Sequence, residues 1–78
     1  MPTIDDIGPY KFFFYSAEGG EPPHVHVRRE RATAKVWLHP VRIARSRRFN
    51  DHELRAVQQL VEENEERIME VWHEHFGR

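Results

Sequence analysis

The stretch HVHVRRERATAKVWLH, residues 24–39, decides the fold of this chain. Apolar and polar residues alternate on both sides of its charged centre, which is the period-two pattern of half-buried strands. The two valines of HVHV would face a core, whereas His24, His26 and Arg28 would point the other way. The two halves of the stretch therefore predict neighbouring strands of an antiparallel sheet.

The segments around this stretch extend the strand pattern. Residues 10–16 (YKFFFYS) are rich in aromatic residues with high strand preference, and a cluster of Gly, Glu and Pro at 18–23 interrupts them. Residues 41–49 predict either a short strand or a loop, because their apolar alternation is crowded by arginines. We expect a three- to four-stranded antiparallel sheet over residues 10–45.

The C-terminal part carries a helical pattern. Asn50 is a good N-cap, and Glu53 stands where a capping box places its second partner. Apolar residues then recur every three to four positions up to Phe76. One straight helix over residues 51–76 would be about 39 Å long, against roughly 30 Å for a small domain. The pattern predicts one long helix bent near Asn64, or two helices, packed on one face of the sheet.

The composition limits what the chain can be. Its 78 residues allow one domain, here an α+β domain over residues 1–78. The absence of cysteine excludes a disulfide scaffold, a Cys-ligated zinc finger and a thiol enzyme. No apolar run approaches the roughly 20 residues of a membrane helix, and the start lacks a signal-peptide pattern. We expect a soluble, cytoplasmic protein without contact to a membrane.

The formal net charge of −1 conceals two halves of opposite sign. Residues 1–48 carry nine Lys and Arg against five acids, which gives +4, and residues 49–78 carry three Arg against eight acids, which gives −5. A basic half can meet an anion such as nucleic acid, or it can attract the acidic half within the fold. The arginines of residues 42–48 have the same two interpretations, a phosphate-binding patch or the internal counterion of the acidic helix.

The face of the sheet that carries the histidines combines groups suited to nucleic-acid chemistry. We expect the first strand to add Lys11, Phe13 and Tyr15 to it. Arg and Lys neutralise phosphate and exposed rings stack on bases, while imidazoles with a pKa of about 6.5 can transfer the protons of metal-free phosphodiester cleavage. The predicted catalytic residues are His24, His26, Lys35 and Tyr15. The predicted nucleic-acid-binding residues are Lys11, Arg28, Trp37, Arg42, Arg45, Arg47 and Arg48.

The two histidines also allow simpler interpretations. Histidines two apart on a strand often have a structural or solvated role. They can alternatively supply two metal ligands, with the others drawn from His39, Glu18 or Glu21. Because no spacing fixes those further ligands, we predict neither a metal nor a cofactor.

Several segments resemble a small bacterial family, domain of unknown function 4160, in order and over nearly the whole chain. They are FFFYS (12–16), EPPHVHV (21–27), AKVWL (34–38) and ELRAVQQLVEEN (53–64), with Pro40, Trp72 and Phe76. Genes of this family commonly lie beside a gene of the domain-of-unknown-function 2442 family. The resemblance implies that the chain is the toxin of a type II toxin–antitoxin pair, and that its partner is a small antitoxin resembling the 2442 family.

Two function hypotheses follow. The first is a toxin that binds RNA or DNA, with metal-independent, ribonuclease-like cleavage as one form of its action. The second is a non-catalytic module that binds protein or nucleic acid, including a homodimer formed through the C-terminal helix. Trp72 and Phe76 are predicted to fill the core or the seam of such a dimer.

Overall fold

A computed structural model describes residues 3–77, with side chains from residue 6 onward, and places five strands before two helices. A short 3₁₀ helix, Ser16–Glu18, separates the second strand from the third. The strands and helices are β1 (Thr3–Ile7), β2 (Tyr10–Phe13), β3 (His24–Arg29), β4 (Ala32–Leu38), β5 (Val41–Arg47), α1 (Asp51–Glu63) and α2 (Glu65–Phe76). The predicted α+β class is confirmed.

The five strands form one antiparallel sheet in the order β1-β2-β3-β4-β5. The prediction of three to four strands over residues 10–45 was therefore wrong in number and in limits. The sequence of β1, TIDDI, does not predict a strand, because it contains two adjacent aspartates and aspartate is depleted in strands. Residues 41–47, which the sequence left open, form strand β5.

The core lies between the sheet and the helices. Val25, Val27 and Val36 are fully buried there, which confirms the alternation predicted for the central strands. Burying one such side chain stabilises the fold by about 1.5–3 kcal/mol, so this layer holds the sheet to the helices. The same cluster includes Phe12, Phe14, Leu38, Val57, Val61, Ile68 and Trp72. Trp72 therefore belongs to the core of a single chain.

The helical part is divided at Asn64, as one of the two sequence alternatives predicted. Asn50 and Glu53 form the expected capping box, with N···O distances of 2.8 and 3.0 Å. The Asn64 side chain donates a hydrogen bond to the carbonyl of Leu60 at 2.8 Å, which satisfies a carbonyl at the end of α1. Two helices of 13 and 12 residues thus fit a molecule whose longest dimension is 34 Å.

Neither of these helices has the length and apolar character that crossing a membrane requires, as far as residues 3–77 are concerned.

Candidate functional site

The site lies on the outer face, defined as the face of the sheet turned away from the core. Residues directly opposite each other on neighbouring strands share a face. His24 is opposite Trp37, and His26 lies between Phe13 and Lys35. Because period two also links the two histidines, all five side chains lie on the outer face. The register predicted for the aromatic strand, now β2, is confirmed as well, since Phe13 and not Phe12 lies beside His26.

An irregularity in β5 adds arginines to the outer face. Lys35 pairs with Arg45 and Val36 pairs with Ile43, so Ala44 is an extra residue in β5. Such a bulge changes which side of the strand the following residues occupy. Arg45 and Arg47 therefore share a face with Arg42, although strict alternation would separate them.

The outer face thereby gathers five exposed cationic side chains that the sequence assigned to nucleic-acid binding: Lys11, Arg28, Arg42, Arg45 and Arg47. Arg48 does not join them. It follows the end of β5 with a φ of 66° and lines a different depression with Arg31 and Glu53. Arg42, Arg45 and Arg47 lie on the side of the sheet opposite the core valines, where they can meet an anion from solution; their phosphate-binding role stays a prediction.

The two histidines point to the outer face as predicted, but both are buried. His24 is 0% and His26 is 7% exposed. The segment between β2 and β3 folds over them and brings Glu18 into contact with both. Glu18 Oε1 lies 2.9 Å from His24 Nε2 and 2.6 Å from His26 Nε2. The sequence does not predict this cover, because a Gly- and Pro-rich segment has no periodicity that indicates its path.

Aromatic side chains hold the imidazoles in place. The His24 ring lies 5.2 Å from the Trp72 ring and 5.6 Å from the Trp37 ring, measured between centroids. The His26 ring stacks on Phe13 at 5.5 Å and meets Tyr15 at 4.5 Å. Packing on two sides fixes the orientation of each imidazole, which is a requirement for a ligand or a proton donor.

The cover segment is itself packed against the end of α2. A Cβ atom on Gly19 would lie 2.5 Å from Cδ1 of Phe76, so only glycine fits this close approach. Phe76 is held in turn by Trp72, with ring centroids 4.2 Å apart. The position of Glu18 over the histidines therefore depends on a contact between the segment and the second helix.

Lys35 is not available as the exposed cation that the sequence predicted. It is 7% exposed, its Nζ lies 2.5 Å from Glu21 Oε1, and it stands 4.7 Å above the centre of the Trp37 ring. Trp37 is half-buried between this ammonium group and His24. Lys35 is thus held by Glu21 and Trp37, while Trp37 keeps part of its surface exposed beside Arg42, and its nucleic-acid-binding role stays a prediction.

A cavity of about 230 Å³ opens on the outer face next to the histidines. Three of the four predicted catalytic residues line it, Tyr15, His26 and Lys35, together with Arg45 and Arg47. His24 lies behind them, so the structure brings the four residues into one neighbourhood but gives only three of them access to the cavity. Their catalytic roles stay predictions.

The Glu18 carboxylate and the His26 imidazole have shifted pKa values. Burial raises the pKa of Glu18, whereas the hydrogen bonds and charges of His24 and His26 lower it. The lowering effects together are larger, so the pKa of Glu18 lies below its ordinary value. Burial lowers the pKa of His26 and outweighs the opposite effect of Glu18. Near neutral pH the site therefore contains an ionised carboxylate beside a neutral His26 imidazole.

Glu18, His24 and His26 are the described residues that could hold a metal ion together. Each offers one ligand atom, and the three atoms lie within 4.8 Å of one another. Of the further ligands that the sequence left open, the structure selects Glu18. Glu21 is paired with Lys35, and His39 is 3.1 Å from Glu65 at the surface.

Fold and site define a small α+β domain in which a five-stranded meander carries a His-His-Glu cluster beneath a cationic face. The chain belongs to the family described as domain of unknown function (DUF4160), which it matches over residues 10–73. The resemblance noted in the sequence is thereby confirmed. No curated protein and no solved structure matches the chain significantly.

Proposed function

We propose that this protein is the toxin of a type II toxin–antitoxin pair and that it binds single-stranded RNA through the outer face. The observation that carries the proposal is that five exposed cations lie on one side of the sheet: Lys11, Arg28, Arg42, Arg45 and Arg47. In residues 6–77, no ion pair within 4 Å holds any of the five. Asp6 is the cross-strand neighbour of Lys11, so the three arginines of β5 carry most of the uncompensated charge. Lys and Arg on one face are the main source of affinity for a phosphate backbone.

The spacing of these cations suits an extended single strand of RNA. They stand on β2, β3 and β5, with β4 between, and neighbouring strands are about 4.8 Å apart. The set therefore spans roughly 14 Å across the sheet. This width accommodates several phosphates of a single strand.

Tyr15 adds an aromatic contact for a base. Its side chain is 44% exposed, and its ring meets Phe13 edge-on at 5.4 Å, which holds it upright beside the cavity. Stacking of one base on such a ring is worth about 1–3 kcal/mol and does not depend on base identity. A sheet face that combines rings with cations favours unpaired RNA, whose bases are free to stack.

The structure of the site supports RNA binding better than RNA cleavage with His24 as a general base. Both nitrogens of that ring already face partners, Pro22 O and Glu18 Oε1, each at 2.9 Å, and the ring has no exposed surface. A general base must reach the proton that it removes. Metal-independent cleavage would therefore have to proceed through His26, Tyr15 and Lys35, which line the cavity.

The toxin role rests on family membership and on the gene pairing that the resemblance implies. We propose that the antitoxin, a small protein resembling the domain-of-unknown-function 2442 family, covers the outer face and competes with RNA for it. A partner that presents acidic side chains to the five cations would achieve this neutralisation.

RNA binding is tested by fluorescence anisotropy with a labelled, unstructured 12-nucleotide RNA. The double variant Arg45→Gln/Arg47→Gln should weaken binding roughly tenfold and reduce the slope of log K against log salt by about 1.4, the value for two lost contacts to a single strand. The matched control Arg31→Gln/Arg55→Gln removes the same charge away from the outer face and should bind within about twofold of wild type. Equal losses in both double variants, or no binding by the wild type, would exclude the outer face as the RNA site.

A further inference from the structure

We propose that Glu18, His24 and His26 form a binding site for a divalent first-row transition-metal ion, with Zn²⁺ as the reference ion. This site goes beyond RNA binding and does not depend on it. Two imidazole nitrogens with one carboxylate oxygen are the ligand set of many catalytic zinc sites and of the facial triad that binds Fe²⁺.

Two of the three distances between the donor atoms are slightly shorter than those that a metal ion imposes. Glu18 Oε1 is 2.9 and 2.6 Å from the Nε2 atoms of His24 and His26, and all three atoms lie within 4.8 Å. Ligand atoms about 2.0–2.2 Å from a tetrahedral zinc ion are separated by roughly 3.3 Å. The carboxylate oxygen therefore has to withdraw from the two nitrogens by about half an ångström, and the nitrogens, which lie within 4.8 Å of each other, have to settle at a similar separation to admit the ion.

The hydrogen bond of His24 Nδ1 leaves Nε2 of the same ring as the atom that can bind a metal ion. Nδ1 of His24 lies 2.9 Å from the carbonyl oxygen of Pro22, which can only accept, so Nδ1 carries a proton. Nε2 faces the oxygen of Glu18 at 2.9 Å, and this contact needs a positive centre between the two atoms, either the proton of a hydrogen bond or a metal ion that replaces it. A donor bond from Nδ1 to a backbone carbonyl is also the usual support of a metal-bound histidine.

The surroundings keep the three ligands in position. His24 is packed between Trp37 and Trp72, and His26 is stacked on Phe13. The backbone of Glu18 is fixed at both sides, because its N–H donates to Tyr15 O and its carbonyl accepts from Glu21, each at 3.1 Å. A site whose ligands are already ordered loses little conformational entropy on binding.

We expect the remaining coordination position on the side of the cavity, because His26 is the ligand that lines it. His26 lines the cavity, whereas His24 and the helical layer close the other side. Three protein ligands leave a fourth position for water or for an oxygen of a bound anion, as in catalytic zinc sites. The site therefore differs from a closed structural zinc site, which the cysteine-free chain cannot form with thiolates.

The test uses untagged full-length protein, freed of metal with a chelator and titrated calorimetrically with ZnCl₂ in the absence of RNA. We expect one Zn²⁺ per chain. The variants Glu18→Gln and His26→Gln should each weaken binding at least about tenfold. His39→Gln, which alters a histidine whose side chain is 82% exposed, is the matched control and should bind like wild type.

Circular dichroism of each metal-free variant separates loss of ligands from loss of fold, and Co²⁺ provides a second readout. Bound Co²⁺ should give the intense visible absorption of a four-coordinate ion in wild type and His39→Gln, and should lose it in His26→Gln. A wild-type dissociation constant weaker than about 0.1 mM, or equal binding by folded Glu18→Gln and wild type, would overturn the proposal. The cluster would then be a hydrogen-bonded ion pair, and the RNA-binding proposal would be unaffected.

Discussion

At the scale of single residues, the carboxylate of Glu18 changes the chemistry of the two histidines beside it. An HVHV strand predicts two imidazoles on one side, which the structure confirms. Their burial could not be predicted, because it depends on a segment without periodicity that returns across the sheet. The sequence offered one hint, an acid six residues before His24, and that acid was considered only as one of several further ligands.

Gly19 provides a test of how firmly the cover segment is anchored. In Gly19→Ala the new methyl group would collide with Phe76, which is held by Trp72 and Phe14, so the segment must shift. We expect the free energy of unfolding to fall by about 1–3 kcal/mol, as for other overpacked sites. Urea denaturation of metal-free protein measures the change.

Gly20→Ala is the control for this substitution. A Cβ atom there would have no neighbour within 4 Å, and the position requires no left-handed backbone. This variant should unfold within about 0.5 kcal/mol of wild type. Similar stability of the two alanine variants would show that the contact with α2 does not anchor the segment.

At the scale of elements, the bulge in β5 determines which arginines act together. Sequence alternation alone would place Arg42 on one side of the strand and Arg45 and Arg47 on the other. The extra residue Ala44 cancels that separation. Bulges leave little signal in a sequence without glycine, which explains why residues 41–49 resembled a loop as much as a strand.

Deletion of Ala44 tests this arrangement. Because the residue has no partner in β4, its removal should give a regular strand with Arg42, Arg45 and Arg47 still on the outer face. We expect RNA binding within about threefold of wild type and a folded protein by circular dichroism.

Deletion of Ser46 is the matched comparison, with Arg48→Gln added to both deletion variants. Ser46 is paired with Ala34, so its loss moves Arg47 to the side of the helices and brings position 48 into the place of Arg47. The Arg48→Gln change leaves that place without a cation. RNA binding should weaken more in this variant than in the Ala44 deletion. The reverse order of affinities would contradict the assignment of Ala44 as the unpaired residue.

At the scale of the whole molecule, the charges are separated by the sheet. Cations occupy the outer face, whereas the acids around the junction of α1 and α2 surround a depression of their own. Counting charges in the two halves of the chain predicted that polarity. The position of the cations on a single face followed only from strand register and from the bulge, which counting cannot supply.

Growth assays test the proposed role of the whole protein. Expression of the chain alone should arrest bacterial growth, and co-expression of its genomic neighbour should relieve the arrest. Arg45→Gln/Arg47→Gln should lose the effect if RNA binding causes it, while Arg31→Gln/Arg55→Gln should retain it at equal protein levels. Arrest by both double variants, or no arrest by the wild type, would contradict the proposal.

The position of β5 at the border of the sheet has a further consequence. Among residues 3–77 no strand pairs with the far edge of β5, and an open edge of this kind can recruit a second copy into a continuous β-sheet. Closely spaced arginines oppose such stacking through mutual repulsion. The residues proposed to attract RNA would thus also protect the protein from fibrillar aggregation, so a variant stripped of them loses both properties.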